Sequence, residues 1–253
     1  MFIIRLSPIG VFCLMTNVVA VNGPSIVGSL AVVLGAAYAG YIVHMVVVYS
    51  ATVKGFAGMN PVAFFKNMMP AMVFAFTSTS SVATIPPNRE CCDRMGVNPE
   101  YSSFILPLGA TINMDGTAIY MGVAIIFIAT CYGVNLTISQ LVSVALTATL
   151  ASMGTAGVSG AGMIMLTMAL ESVGLPVEGI ALIYGVDKIF NMERTALNSL
   201  GDASCAVVVS KIDEKRYQKN EAILIVENEA DYPYPQRDGK TGTRPRLKKT
   251  AIF

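Results

Sequence analysis

Five polar residues recur at helical spacing within the largely apolar stretch from Pro176 to Ser210. Their separations of four, three, four and four residues place them within an arc of roughly 80° on one helix face. Carboxylate and amide oxygens can coordinate a cation, and a guanidinium can grip an anion. The pattern therefore predicts a face that holds something charged, formed by Asp187, Asn191, Arg194, Asn198 and Asp202.

The distribution of charge predicts a membrane protein around this face. No Asp, Glu, Lys or Arg lies between Arg5 and Lys54, and Asp115 alone is charged between Glu100 and Glu171. Runs of that length exceed the ~20 apolar residues needed to cross a bilayer. Of the 33 charged residues, 17 fall in the last 43 positions. We therefore expect a multi-pass membrane body followed by a polar tail.

Composition excludes several other function classes. The net charge of +1 and the mixed charges of the tail give no basic patch for nucleic acid. No paired nucleophile and base is evident, so we expect neither an enzyme nor a cofactor. We interpret His44 as a packed or interfacial histidine without a function. The cysteines lack the spacing of a zinc site and are interpreted as idle thiols: Cys13, Cys91, Cys92, Cys131 and Cys205.

A stretch long enough to span the membrane, 101–132, carries Asn113-Met114-Asp115-Gly116-Thr117 near its middle. An Asp at the centre of a spanning helix costs about 2.5–3.5 kcal/mol, and the adjacent glycine weakens the helix by roughly 1 kcal/mol. A break that exposes carbonyl groups to a cation would offset both costs. The alternative is that Asp115 hydrogen-bonds to a neighbouring helix.

Two pairs of short apolar segments flank polar or glycine-rich turns. The first pair, 61–97, surrounds a run of serines and threonines at 77–81, and the second, 137–173, surrounds glycines at 154–160. Each predicts a re-entrant hairpin, although an amphipathic surface helix remains open for the first and simple helix packing for the second. A hairpin followed by an interrupted span occurs at 61–132 and again at 137–210. Such repetition is typical of a transporter's midplane site.

Four separated motifs, taken in order, resemble the dicarboxylate/amino acid:cation symporters, the glutamate transporter family. The motifs are Ser80-Ser81-Val82-Ala83-Thr84-Ile85-Pro86, the run from Gly109 to Thr117, Gly154-Thr155-Ala156-Gly157-Val158, and Arg194-Thr195 with Asn198 and Gly201-Asp202. The resemblance implies an all-α multi-pass membrane fold with two re-entrant helical hairpins, broken transmembrane helices and an inverted repeat.

The same resemblance implies a domain organisation. Residues 1–22 would end a scaffold helix, and 25–210 would form the transport domain. Within it we expect a spanning helix at 25–53, hairpins at 61–97 and 137–173, a broken helix at 101–132 and a polar-faced helix at 176–210. Residues 211–253 are predicted to be a disordered polar tail on the cytoplasmic side. Family members have eight spanning helices, so we expect an N-terminally incomplete chain that starts within the fifth.

The family's substrate site carries over position by position. The resemblance implies that Arg194 binds a substrate carboxylate, although an internal ion pair with Asp187 is the alternative. The residues implied to surround the substrate are Ser81, Thr117, Gly157, Val158, Asn191, Arg194, Thr195 and Asn198.

The family's cation sites carry over in the same way. The first is implied at Gly109, Asn113, Asn198 and Asp202, and the second at Thr111, Met114, Ser152, Met153 and Thr155; Asp115 matches a third. Hard oxygen ligands suit Na⁺, which we expect as the coupling ion in preference to H⁺.

These residues imply Na⁺-coupled symport of an acidic amino acid or a C4-dicarboxylate by alternating access. Asn191 replaces the aspartate that receives the substrate's ammonium in acidic amino acid carriers, which favours dicarboxylates. Thr79 replaces an arginine of some prokaryotic members, so we expect Arg194 to be the one cation that faces the substrate. A neutral amino acid carrier or exchanger, or a non-transporting fragment, is the alternative. The resemblance further implies residence in the plasma membrane, or inner membrane of a bacterial cell, and a homotrimer for a full-length protein.

Overall fold

The computed structural model describes residues 9, 12–13, 16–21, 23–153, 157 and 161–230, and this part of the chain is helical with no β-strand. The predicted all-α class is confirmed. The chain divides into two compact units, Met1–Asp213 and Glu214–Phe253. Residues 9, 12–13 and 16–21 are helical, and the rest of 1–22 lies outside the described residues.

Helix α1, Ser25–Ala57, is long and apolar enough to cross a membrane. It includes two wider π-helical turns, at Met45–Tyr49 and Val53–Ala57, and it ends at Gly58 with a φ of 69°. It therefore runs four residues beyond the predicted span of 25–53. Large apolar side chains such as Val32 are exposed along it, which fits a lipid environment better than water.

Three helices follow: α2 is Pro61–Ser78, α3 is Ser81–Arg94, and α4 is Pro99–Ile112. Asn60, Ser80 and Asn98 cap their N-termini by accepting a backbone N–H bond on the side-chain oxygen. Helices α2 and α3 pack on each other, as the first predicted hairpin requires.

The predicted break in 101–132 lies at Asn113 and Met114. These two residues leave the helical region between α4 and α5, which is Asp115–Cys131. The full segment Pro99–Cys131 is the second helix with the length and composition of a membrane span in the described part of the chain.

The second predicted hairpin contributes α6, Ile138–Met153, and α7, Ala161–Ser172. The two helices pack on each other, and both pack against α5. Of the turn between them the structure describes Gly157, which is buried.

The predicted helix 176–210 is interrupted in the structure. A short 3₁₀ segment, Val177–Gly179, leads into α8, Ile180–Tyr184, and α9 is Asp187–Ala230. Gly185, a poor helix former, lies in the gap. The five polar residues of the predicted face all belong to α9 and keep their common face.

Helix α9 also differs from the sequence prediction at its far end. It continues through 211–230, the first part of the predicted disordered tail. Glu, Lys and Ala account for nine of these 20 residues, and all three favour helix. The remainder, 231–253, lies outside the described residues.

Helix α9 carries the core of the first unit up to Asp213. Phe190, Leu197 and Leu200 of α9 are almost fully buried. A polar cross-link adds to this packing, because the buried Asn88 of α3 donates from Nδ2 to the carbonyl of Ser199 at 2.8 Å. Helix α3 is thereby held against the middle of α9.

We expect Asn88→Ala to lower the free energy of unfolding by about 1–3 kcal/mol, since it removes a buried bond and leaves a gap. Asn67→Ala is the matched control: Asn67, on α2, bonds the carbonyl of Ala63 in its own helix at the surface, and its loss should cost under about 0.5 kcal/mol. Unfolding in detergent micelles measures both values. Equal losses would show that the link from α3 to α9 contributes no specific stability.

Candidate functional site

Arg194 of α9 is a buried cation with one unsatisfied nitrogen. Its side chain is 3% exposed, and Nε and Nη2 donate to Oδ1 of Asn191 at 3.0 and 2.9 Å. The guanidinium carbon lies 4.6 Å from the centre of the Tyr120 ring, a cation–π contact. Nη1 is buried without a hydrogen-bond partner.

No carboxylate of the described residues lies within ion-pair distance of Arg194. The alternative of an internal pair with Asp187 is therefore wrong for this conformation. A buried guanidinium without a close counterion is costly, because hydrogen bonds to an amide and a cation–π contact replace its hydration only in part. The unpaired Nη1 can donate a hydrogen bond to a ligand oxygen.

Asn198 joins α9 to the break between α4 and α5. Its Oδ1 accepts from the backbone N–H of Gly116 at 2.8 Å, and its Nδ2 points to Sδ of Met114 at 3.1 Å and Oγ1 of Thr117 at 3.4 Å. A side chain on Gly116 would lie 2.6 Å from the carbonyl oxygen of Arg194. The glycine therefore allows the two backbones to approach.

One small cavity collects most of the predicted substrate residues. Seven of the eight line it, and Val158 lies outside the described residues. Thr79, Met114 and Gly162 also line it, although the sequence assigned none of the three to the substrate. The glycine pattern around the second hairpin was the signal for Gly162, since its missing Cβ leaves room for the Arg194 guanidinium. The full lining is Thr79, Ser81, Met114, Thr117, Gly157, Gly162, Asn191, Arg194, Thr195 and Asn198.

The turns of the two helix pairs meet at this cavity. Oγ of Ser80 donates to the carbonyl of Gly157 at 3.0 Å, and the backbone N–H of Val82 donates to the same carbonyl at 3.2 Å. Ser81 lies between them and is buried. Two segments about 75 residues apart in the chain thus close one side of the site.

All four members of the first predicted cation set lie together at the break. Nδ2 of Asn113 donates to Oδ1 of Asp202 at 3.0 Å and approaches the carbonyl of Asn198 at 3.4 Å. Gly109 lies directly against the Asp202 carboxylate. Asp202 is 2% exposed, and no cationic side chain of the described residues pairs with it. A buried carboxylate in that position fits a bound cation.

Asp115 lies in a separate cluster. Its Oδ2 accepts from the Tyr49 hydroxyl at 2.9 Å and lies 3.2 Å from Nε2 of His44. These contacts match the alternative that Asp115 bonds to a neighbouring helix. His44 is half-buried and pairs with Asp115, whereas we expected a packed or interfacial histidine without a function.

The second predicted cation set is less compact. The hydroxyls of Thr111 and Ser152 each donate to a carbonyl of their own helix, at Leu108 and Thr149. The side chain of Met153 is 48% exposed, and Thr155 lies outside the described residues. Met114 belongs to the cavity described above. Any cation held here would depend on main-chain oxygens.

The site as a whole is suited to binding charged groups. In the described part of the chain, no three His, Cys, Asp or Glu side chains converge as metal ligands. Carbonyl, amide and single carboxylate oxygens suit weakly held cations. Arg194 suits a carboxylate.

A family model described as "Sodium:dicarboxylate symporter family" matches residues 1–212. The chain is 40% identical over 210 residues to an excitatory amino acid transporter of Caenorhabditis elegans, covering 80% of this chain and 41% of that protein. It is 36% identical over 214 residues to excitatory amino acid transporter 3 of Mus musculus, covering 84% and 41%. It is 35% identical over 241 residues to excitatory amino acid transporter 2 of Rattus norvegicus, covering 89% and 41%. The chain thus spans about two fifths of the length of these relatives.

We expect Gly109→Ala to disturb the Asn113–Asp202 cluster. The added methyl would overlap the Asp202 carboxylate, and overpacking of this kind costs about 1–3 kcal/mol. Gly122→Ala is the control, because nothing lies within 4 Å of the added methyl. It should stabilise α5 by roughly 0.5–1 kcal/mol. Unfolding in detergent compares the two; a Gly109→Ala variant as stable as Gly122→Ala would contradict the close packing.

Proposed function

The chain belongs to the sodium:dicarboxylate symporter family, and from this premise we propose that it forms the substrate site of a secondary transporter. In this proposal an acidic amino acid or a C4-dicarboxylate crosses the membrane together with Na⁺. The site alternates between the two sides of the membrane and makes no covalent bond to the substrate. The proposed role involves no enzymatic reaction.

Arg194 is the observation that carries this proposal. Its guanidinium is buried, its Nη1 has no hydrogen-bond partner, and no acidic side chain of the described residues lies within ion-pair distance of it. A substrate carboxylate would supply both the missing charge and the missing hydrogen-bond acceptor. A neutral side chain would leave the cation unpaired, which disfavours a neutral amino acid carrier.

The polar residues around Arg194 would orient the rest of the substrate. Thr117, Thr195 and Asn198 line the cavity on one side, and Ser81 and Gly157 line it at the meeting of the two turns. We propose Val158 as a further backbone donor in the second turn. If 61–97 and 137–173 are re-entrant hairpins, separation of their turns would open the cavity.

Na⁺ would bind where buried oxygens lack a positive partner. Asp202, Asn113 and the carbonyls of Gly109 and Asn198 form the first proposed site. The second would use main-chain oxygens of Thr111, Met114, Ser152, Met153 and Thr155, and Asp115 would serve a third. Because the first site shares Asn198 with the substrate cavity, sodium binding would order the residue that lines the substrate.

The membrane setting extends the proposal to the whole protein. Two helices have the length and composition of spans, and the exposed faces of several others are apolar. We propose a multi-pass protein of the plasma or inner membrane, built on an inverted repeat of hairpin and broken helix. A homotrimeric full-length protein in contact with the bilayer remains part of this proposal.

We predict that Arg194→Met abolishes stabilisation by aspartate and succinate without lowering the stability of the ligand-free chain. Removal of an unpaired buried charge is neutral or stabilising, whereas a ligand at 100 times its Kd stabilises the wild-type chain by about 2.7 kcal/mol. Arg194→Lys, which keeps the charge but loses the planar fork, is the matched variant and should bind more weakly than wild type. Thermal unfolding in Na⁺ buffer measures all three. Unchanged ligand stabilisation in Arg194→Met would reject the proposed site.

We predict that Asn191→Asp shifts the ratio of aspartate affinity to succinate affinity toward aspartate by roughly tenfold. The substitution is isosteric and adds a countercharge for the α-amino group, worth on the order of 1–2 kcal/mol because the same carboxylate also pairs with Arg194. Competition between the two ligands for the same preparation gives the ratio directly. A ratio equal to that of wild type would show that Asn191 does not select the substrate.

A further inference from the structure

Lys188 places a second positive charge beside the cavity. Its Nζ donates to Oγ1 of Thr79 at 2.6 Å. Thr79 is 2% exposed and lines the cavity together with Arg194. Lys188 itself is exposed, so its ammonium lies on the rim while its partner lies inside.

The chemistry of Lys188 fixes the direction of this contact. An ammonium carries only donors, so the Thr79 hydroxyl accepts from Lys188, and the same hydroxyl donates to the carbonyl of Ser78 at 2.7 Å. Among the described non-glycine residues, Thr79 alone has a positive φ, 54°. This left-handed residue directly follows the end of α2. Lys188 thus contacts the turn after α2. The residue that follows Thr79 in this turn, Ser80, donates a hydrogen bond to the carbonyl of Gly157.

The position of Lys188 on α9 also places it beside the cavity. It precedes Asn191 by three residues and Thr195 by seven, so all three lie on one helix face. Asn191 and Thr195 both line the cavity, whose one charged lining residue in the described part is Arg194. Arg194 thus lies inside the cavity and Lys188 on its rim, and no acidic side chain of the described residues lines the cavity.

We propose that Lys188 is a specificity-determining residue that favours ligands with two carboxylates over ligands with one. The inference rests on the proposed function, since it assigns the charge of the substrate for the same cavity. One carboxylate would pair with Arg194, and the second would lie toward Thr79 within the field of the Lys188 ammonium. At the separations of neighbouring groups and an intermediate effective dielectric, such a charge changes affinity by roughly tenfold.

A purely mechanical role would give a different result. If Lys188 only holds the Thr79 turn in place, its loss would weaken all ligands of the cavity alike. If it selects by charge, its loss would weaken a dianion and spare a monoanion of the same shape. Succinate and its monoamide, succinamate, are such a pair because they differ by one charge and hardly in size.

The test measures dissociation constants of succinate and succinamate for the full chain in Na⁺ buffer by calorimetry. Lys188→Met should weaken succinate binding roughly tenfold and succinamate binding by less than about threefold. Lys188→Arg, which keeps the charge, should restore the wild-type ratio. Lys66→Met is the matched control, since Lys66 is also exposed and lies 13 residues before Thr79 on the same helix pair, roughly 20 Å along α2.

The outcomes separate this inference from the proposed function. If Lys188→Met weakens the binding of both ligands equally, or of neither, the inference is overturned. The proposed function still holds in that case, provided that the wild-type chain binds succinate or aspartate. Failure of the wild-type chain to bind either ligand would reject the proposed function and the inference with it. Failure of Lys188→Arg to restore the ratio would overturn the selection by charge.

Discussion

The buried polar face of α9 is the constraint on which the rest of the site depends. A helix that buries Asn191, Arg194, Asn198 and Asp202 must find partners for their polar atoms, because unpaired buried groups cost several kcal/mol in a membrane. The break at Asn113 and Met114 supplies many of those partners, since it frees backbone and side-chain groups opposite Asn198 and Asp202. Glycines at the closest approaches allow the two segments to touch. The break between α4 and α5 thus supplies hydrogen-bond partners for the polar residues of α9.

Two charged side chains of α9, Arg194 and Asp202, have no ion-pair partner among the described residues. The amide of Asn191 satisfies only one side of the Arg194 guanidinium, and the Asp202 carboxylate is met by an amide and a glycine. A protein selected for stability alone would pair or replace both charges. The two unneutralised charges, one of each sign, lie on the same helix eight residues apart. In the proposed symport, an anion and a cation that enter together would neutralise both, and this would couple the binding of one to the binding of the other.

Local sequence patterns predicted much of this architecture, but they could not predict contacts between residues that are far apart in the chain. The common face of α9 follows from the spacing of its polar residues, and the break follows from Asp115 and Gly116 within an apolar span. The Lys188–Thr79 and His44–Asp115 contacts join residues 109 and 71 positions apart, and no periodicity reveals such pairs. The expected tail was misjudged over 211–230 because its charged residues are also good helix formers.

The most direct test of the account is the affinity of the purified chain for aspartate and succinate as Na⁺ replaces K⁺ at constant ionic strength. If the buried Asp202 cluster and the Arg194 cavity form one coupled site, affinity should rise at least about fivefold with Na⁺, and the ligand should raise Na⁺ affinity by the same factor. Binding of either ligand with equal affinity in Na⁺ and K⁺ would contradict the coupling. It would leave Arg194 as an anion site that no sodium ion controls.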